Sequence, residues 1–264
     1  MSAARIQIRG NAIGGAARTE WLRAGAALFG AAWGSNQFTP MLLVYHGQLG
    51  LSTGTLEALF GVYALGLIPG LLVAGPVSDA RGRRPVIVAS AVFSLAGTLA
   101  LVVAGHSVAP LFVGRFLTGV GSGAAFGAGT AWLRELSRPP FGDATDHGAA
   151  RRGAVAMTFG FAAGPLVSGL LAQWAGDPRV VPYLPHLLLM LAVLAVVPGA
   201  PETVVRGGAG ATGRALPSLR QPRFYRVVAP MAPWVFAAPA VAFALLPTVV
   251  GAANATDGIA LTAA

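Results

Sequence analysis

The chain is 264 residues long, 55% hydrophobic and only 10% charged, with a mean hydropathy of +0.68; soluble domains carry about 25% charged residues, so a water-soluble globule is set aside and a membrane protein is implied. Cysteine is absent, which excludes disulfides, thiolate zinc sites and cysteine nucleophiles. All 18 basic residues are arginine and the formal net charge is +9; the missing lysine rules out a phosphate-loop cation, and the charge fits membrane topology better than nucleic-acid binding.

Residues 1–23 form an arginine-rich start that reads as a retained cytoplasmic tail, because the apolar run behind it is longer than the ~7–15 residues of a cleavable signal core. Seven stretches then approach the ~20 mostly apolar residues that cross ~30 Å of hydrocarbon, at 24–45, 56–77, 86–104, 109–132, 153–174, 181–197 and 227–251. Helices are expected, since a lipid-exposed backbone must satisfy its own hydrogen bonds and the runs lack the alternation of barrel strands. The predicted fold is therefore all-α, a polytopic membrane helical bundle. It has a six-helix unit over 24–199, a basic cytoplasmic linker over 200–226 rich in Gly, Arg and Pro, and a seventh helix entering an outer loop over 227–264.

Each span brings its own features. The first places Trp33, Gly34, Ser35, Asn36, Gln37 and Thr39 near the bilayer midplane, where polar side chains face a cavity or another helix. Asn36 and Gln37 are thus candidate substrate contacts, with helix-to-helix hydrogen bonding as an equal alternative. The second span ends in the charged turn Gly75-Pro-Val-Ser-Asp79-Ala-Arg81-Gly82-Arg83-Arg84. The fourth holds Arg115, a charge that costs about 2.5–3.5 kcal/mol to insert even on a lenient scale, followed by Thr118-Gly119-Val-Gly121. Asp143, Asp146 and His147 lie in the next loop and read as solvated rather than metal-binding. The fifth carries Gly160-Phe-Ala-Ala-Gly164-Pro165-Leu-Val-Ser168-Gly169, and the seventh contains Pro230, Pro233, Pro239 and Pro247.

Arginine placement fixes the expected orientation. Arg5, Arg9, Arg18 and Arg23 precede the first span; Arg81, Arg83 and Arg84 follow the second; Arg134, Arg138, Arg151 and Arg152 follow the fourth; Arg206, Arg214, Arg220, Arg223 and Arg226 follow the sixth. All of these fall on one side if the chain alternates, leaving Arg115 inside a span and Arg179 in an opposite loop. The N-terminus is then cytoplasmic and the protein a multi-pass component of the plasma or inner membrane.

The turn after the second span resembles the loop between helices 2 and 3 of the major facilitator superfamily, G-x-x-x-D-R-x-G-R-R, with Gly75, Asp79, Gly82, Arg83 and Arg84 in place and Ala80 where the family has a basic residue. Arginines alone would follow from the positive-inside rule; Asp79, Gly82 and Gly75 would not. The resemblance implies a cytoplasmic gate: Asp79 pairs with arginines and helix ends, Gly82 allows the tight turn, and Gly75 permits close helix approach. Arg115 to Gly121 resembles the family's R-x-x-Q-G-x-G in helix 4, with Thr118 for Gln, which implies a role for Arg115 in proton coupling; the alternative is that it only bonds carbonyls or snorkels outward. Gly160, Gly164, Pro165 and Gly169 resemble a helix-5 pattern of antiporters, G-x-x-x-G-P-x-x-G-G, with Ser168 for one glycine. Six helices, a basic linker and a new helix match the family's two-halves plan.

The expected function is secondary transport by alternating access, as proton-coupled export of a small molecule, with no cofactor. An uptake symporter is the alternative within this class, and a truncated fragment that does not transport is the alternative outside it. The fragment reading expects that the missing C-terminal half of the transporter completes the site. Thr118, with Asn36 and Gln37, is placed in the candidate cavity. No carboxylate lies deep in a span, so the proton carrier is open among Glu57, His46 and His186. The sequence contains neither a G-x-S-x-G elbow nor an H-E-x-x-H pair, so an enzyme reading has no support.

Overall fold

The computed structural model describes residues 19–104 and 107–204, together with 222, 225, 226 and 230. The predicted seventh span, most of the linker and most of the N-terminal tail lie outside the described residues. Within them the chain is helical throughout: α1 (Trp21–Asn36), α2 (Met41–Leu49), α3 (Thr53–Arg81), α4 (Arg83–Val102), α5 (Ala109–Ala124), α6 (Thr130–Ser137), α7 (Asp146–Trp174) and α8 (Leu184–Val196). A π-helical segment, Ala125–Gly129, joins α5 to α6, and 3₁₀ turns at Val181–Tyr183 and Val197–Gly199 flank α8. Among the described residues, five stretches are long and apolar enough to cross a membrane: Thr53–Arg81, Arg83–Val102, Ala109–Ser137, Asp146–Trp174 and Val181–Gly199.

The remaining span departs from the expectation of one helix over 24–45. It is two helices, because the ladder stops at Asn36 and resumes at Met41. Pro40 has no amide hydrogen to give the Asn36 carbonyl, so the turn tightens to three-residue bonds. Thr39 N donates to Asn36 O at 3.0 Å and Met41 N to Phe38 O at 3.1 Å. The tightening diverts the usual α-helical donors of the Ser35 and Gln37 carbonyls.

Glycines set the packing. Gly66 and Gly70 of α3 face Gly119 and Gly123 of α5, and each lacks room for a side chain: a Cβ on Gly70 would stand 2.6 Å from Val120 O. These reciprocal pairs, four residues apart, let the two backbones touch. α4 meets the other side of α5 through Gly97 and Gly114, α7 lies along α1, and α8 packs on α1 and α4. Buried apolar side chains form two clusters. One gathers Leu28, Ile87, Trp132, Leu133 and Val197; the other gathers Phe38, Met41, Tyr45, Leu59, Leu111 and Tyr183. Outward-facing Leu72, Phe159, Trp174 and Leu188 are each more than 60% exposed, the surface of a bundle that sits in lipid or against further helices.

Candidate functional site

The end of the bundle that carries the arginine clusters is organised around Arg83. Gly82 ends α3 at φ +109°, a backbone region that favours glycine, and starts α4 on the next residue. The Arg83 guanidinium then reaches Asp79 at 2.5 Å, Glu135 of α6 at 3.0 Å and the Ser78 hydroxyl at 2.7 Å. Asp79 and Arg83 are thus brought together. Gly75 is not: among the described residues, a Cβ there would meet nothing within 4 Å, so the close approach expected of it is absent from this unit.

One acid in this cluster escaped sequence reasoning. Glu202, just beyond α8, accepts the backbone amides of Arg83 at 2.8 Å and Arg84 at 3.0 Å. It satisfies two of the four orphan N–H groups at the start of α4 and complements its dipole. Thr203 donates to Glu135, and Arg84 bonds the Pro198 carbonyl at 3.1 Å, so the chain leaving α8 is strapped across the charged turn. Glu202 lies 119 residues from Arg83 in sequence, and no local spacing announces the pair. Asp146, in the first turn of α7, is held by Arg134 at 3.2 Å and Arg138 at 3.1 Å.

Arg115 is only 1% exposed and does not snorkel outward. Its Nη1 donates to the Ser35 carbonyl at 3.3 Å and its Nε to the Leu59 carbonyl at 3.4 Å. Phe38, Phe60 and Tyr63 surround the guanidinium, with ring centroids 4.6, 5.5 and 4.3 Å away. Ser35 O is one of the two carbonyls affected by the turn at Pro40. The other, Gln37 O, lies 2.8 Å from the Ser168 hydroxyl, whose one proton it shares with Gly164 O at the same distance. The break in the first span is therefore pinned from two sides, by the fourth span through Arg115 and by the fifth through Ser168.

The helix-5 glycines supply the approach that makes the second pin work. A Cβ on Gly164 would lie 2.5 Å from Trp33 O, and one on Gly160 would collide with Phe29 O. Pro165 and Gly169 are buried in the same helix.

Among the candidate cavity residues, Gln37 is fully buried, Asn36 is half-buried, and Thr118 is buried with its hydroxyl donating to Gly114 O at 2.9 Å within its own helix. Gln37 Nε2 donates to the Thr98 hydroxyl at 3.2 Å; that hydroxyl lies 2.8 Å from His186 Nδ1, and His186 Nε2 lies 3.1 Å from Gly30 O. Gly30 O only accepts, so Nε2 carries a proton toward it. Gln37 Oε1 is buried without a partner among the described residues.

The profile of the Major Facilitator Superfamily matches residues 24–263. Among curated proteins, "Multidrug resistance protein MdtL" of Klebsiella pneumoniae (strain 342) is 36% identical over 88 residues, 33% of this chain and 22% of that protein. The protein of the same name from Shewanella oneidensis is 36% identical over 91 residues, 34% and 22% of the two chains. That from Salmonella newport (strain SL254) is 39% identical over 90 residues, 33% and 22%. The matched segment spans about a fifth of these relatives' length.

Proposed function

Because the chain belongs to the Major Facilitator Superfamily, a family of membrane transporters, we propose that it carries the first half of a secondary transporter that moves small molecules by alternating access, coupled to protons and running outward. The observation that carries this reading is the tie between Arg115 and the break in the first span. The Ser35 carbonyl that Arg115 holds is one whose helical donor is diverted at the Pro40 turn, so a change in the guanidinium's partners acts on the hinge directly. Outward direction draws on the helix-5 glycine pattern and on relatives whose name is multidrug resistance protein. The Asp79, Arg83, Glu135 cluster is the cytoplasmic gate in this reading, and the open face at Gly75 is where the second half of the two-halves plan would pack.

The test uses the full-length gene. Arg115→Ala should reach the membrane at normal levels yet lose proton-driven transport in everted vesicles. Wild-type rates in that variant would overturn the assignment of coupling to Arg115.

A further inference from the structure

The two ends of α1 and α7 that face the arginine clusters enclose a groove of about 570 Å³, walled by Trp21, Leu22, Phe29 and Val155 and edged by Arg151 and Arg152. The Arg152 guanidinium lies over the Trp21 ring, 4.4 Å from its centroid. Its Nη1 is buried and has no hydrogen-bond partner among the described residues. Stacking occupies the flat face of a guanidinium and leaves its edge donors, which match carboxylate and phosphate oxygens two at a time. Of the acids at this end, Glu20 is held by Arg23 at 3.2 Å, Asp79 and Glu135 by Arg83, and Asp146 by Arg134 and Arg138. Glu202 is bound to the amides that open α4. Arg151, one residue earlier, adds a second positive charge at the mouth.

The geometry points to a site for an amphiphilic anion, with the acidic head on Arg152 and the apolar body against Trp21, Phe29 and Val155. Resting on the transporter reading above, this makes amphiphilic anions the substrate class. The sign of charge along the spans argues the same way. Glu57, Asp79, Glu135 and Asp146 each fall within the first or last five residues of their helices, and the charge buried inside a span is Arg115, which is positive. A cationic solute would find no counter-charge along the described spans, whereas an anion is drawn toward Arg152.

The test is equilibrium dialysis of the purified chain in phosphatidylcholine nanodiscs, with decyl phosphate, decyltrimethylammonium and decanol as probes and empty nanodiscs as blank. Decyl phosphate should be retained over blank and the other two should not. Arg152→Gln should weaken its binding about tenfold, the loss expected for one charge-assisted hydrogen bond, while Arg152→Lys, which keeps the charge and lacks the fork, should retain part of it. Trp21→Leu, a second variant that leaves both arginines in place, should weaken it by a smaller factor; circular dichroism checks that each variant stays helical. Equal retention of the phosphate and ammonium probes, or decyl phosphate binding unchanged in both Arg152→Gln and Trp21→Leu, would overturn the site. Displacement by phosphatidylglycerol in the discs would keep the site and overturn the substrate assignment in favour of an acidic lipid; persistence beside phosphatidylglycerol would support a solute. Because binding is read without transport, loss of transport in the full-length Arg115→Ala variant bears on the functional proposal alone.

Discussion

Arg83 and Arg115 are the same residue in two solvents. Arg83 stands at the rim of the bundle among Asp79, Glu135 and the Ser78 hydroxyl, with Asp79 itself about half exposed. Arg115 stands inside the fourth span among two carbonyls and three aromatic faces, with no carboxylate in its shell among the described residues. Near water an acid stays ionised at little cost, so the rim solves its charge with counter-charges. In the interior a carboxylate would be a second ion to desolvate, and the charge is instead spread over dipoles and ring quadrupoles that were already buried. The comparison teaches that the rim cluster is adjustable by solvent and salt, and that the interior one is fixed by helix geometry.

The largest effect should come from reversing the interior charge. Arg115→Glu would set a carboxylate against Leu59 O, Ser35 O and the negative faces of three rings, a cost of several kcal/mol, and the membrane-inserted fraction should collapse. Normal accumulation of this variant would show that the site is open to water and that the contrast with Arg83 is false. Arg83→Gln should be far milder, about 1 kcal/mol by thermal unfolding in nanodiscs, because its partners keep access to water. The same measurement at high salt should shrink the Arg83 effect and leave an Arg115→Gln effect unchanged. Equal salt sensitivity of the two would erase the distinction.

Glu202→Ala should cost about 1–2 kcal/mol, the range for losing a helix cap, and should free the segment after α8 to faster proteolysis at residues 200–204. Unchanged proteolysis would mean that Arg84 and Trp132, which bonds Pro201 O at 3.1 Å, hold the strap without it.

How much of this was legible follows from the range of the signals. Apolar length and arginine alternation give the span pattern, since both are properties of contiguous residues. The turn at Gly82 and the pairing of Asp79 with a neighbouring arginine were implied by the family resemblance, and Arg83, four residues on, is the partner. The expectation of one unbroken first span failed at Pro40, where hydropathy stays high while hydrogen-bonding capacity is lost. The π segment at Ala125–Gly129 carries no proline or polar run to announce it. Glu202, Thr98 and His186 join partners tens of residues away, and their roles exist only once the helices are packed. Gly75 shows the reverse case: a motif position whose Cβ would meet nothing within 4 Å among the described residues.

The smallest change in energy, and the sharpest test of the hinge, is Pro40→Ala. The substitution returns an amide hydrogen to position 40, where it can bond Asn36 O and continue the α-helical ladder from α1 into α2. A continuous helix would reclaim Ser35 O for Thr39 N and Gln37 O for Met41 N, the very carbonyls now held by Arg115 and Ser168. Gains in the ladder and losses in the two pins nearly offset, so thermal stability should move by about 1 kcal/mol or less. Geometry should move more. Spin labels at Arg23→Cys and Gln48→Cys, on either side of the turn in a chain with no native cysteine, should report a longer separation in Pro40→Ala than in the wild type. If the distance is the same in both, the bend is imposed by the neighbouring spans rather than by proline, and Arg115 follows the hinge instead of holding it.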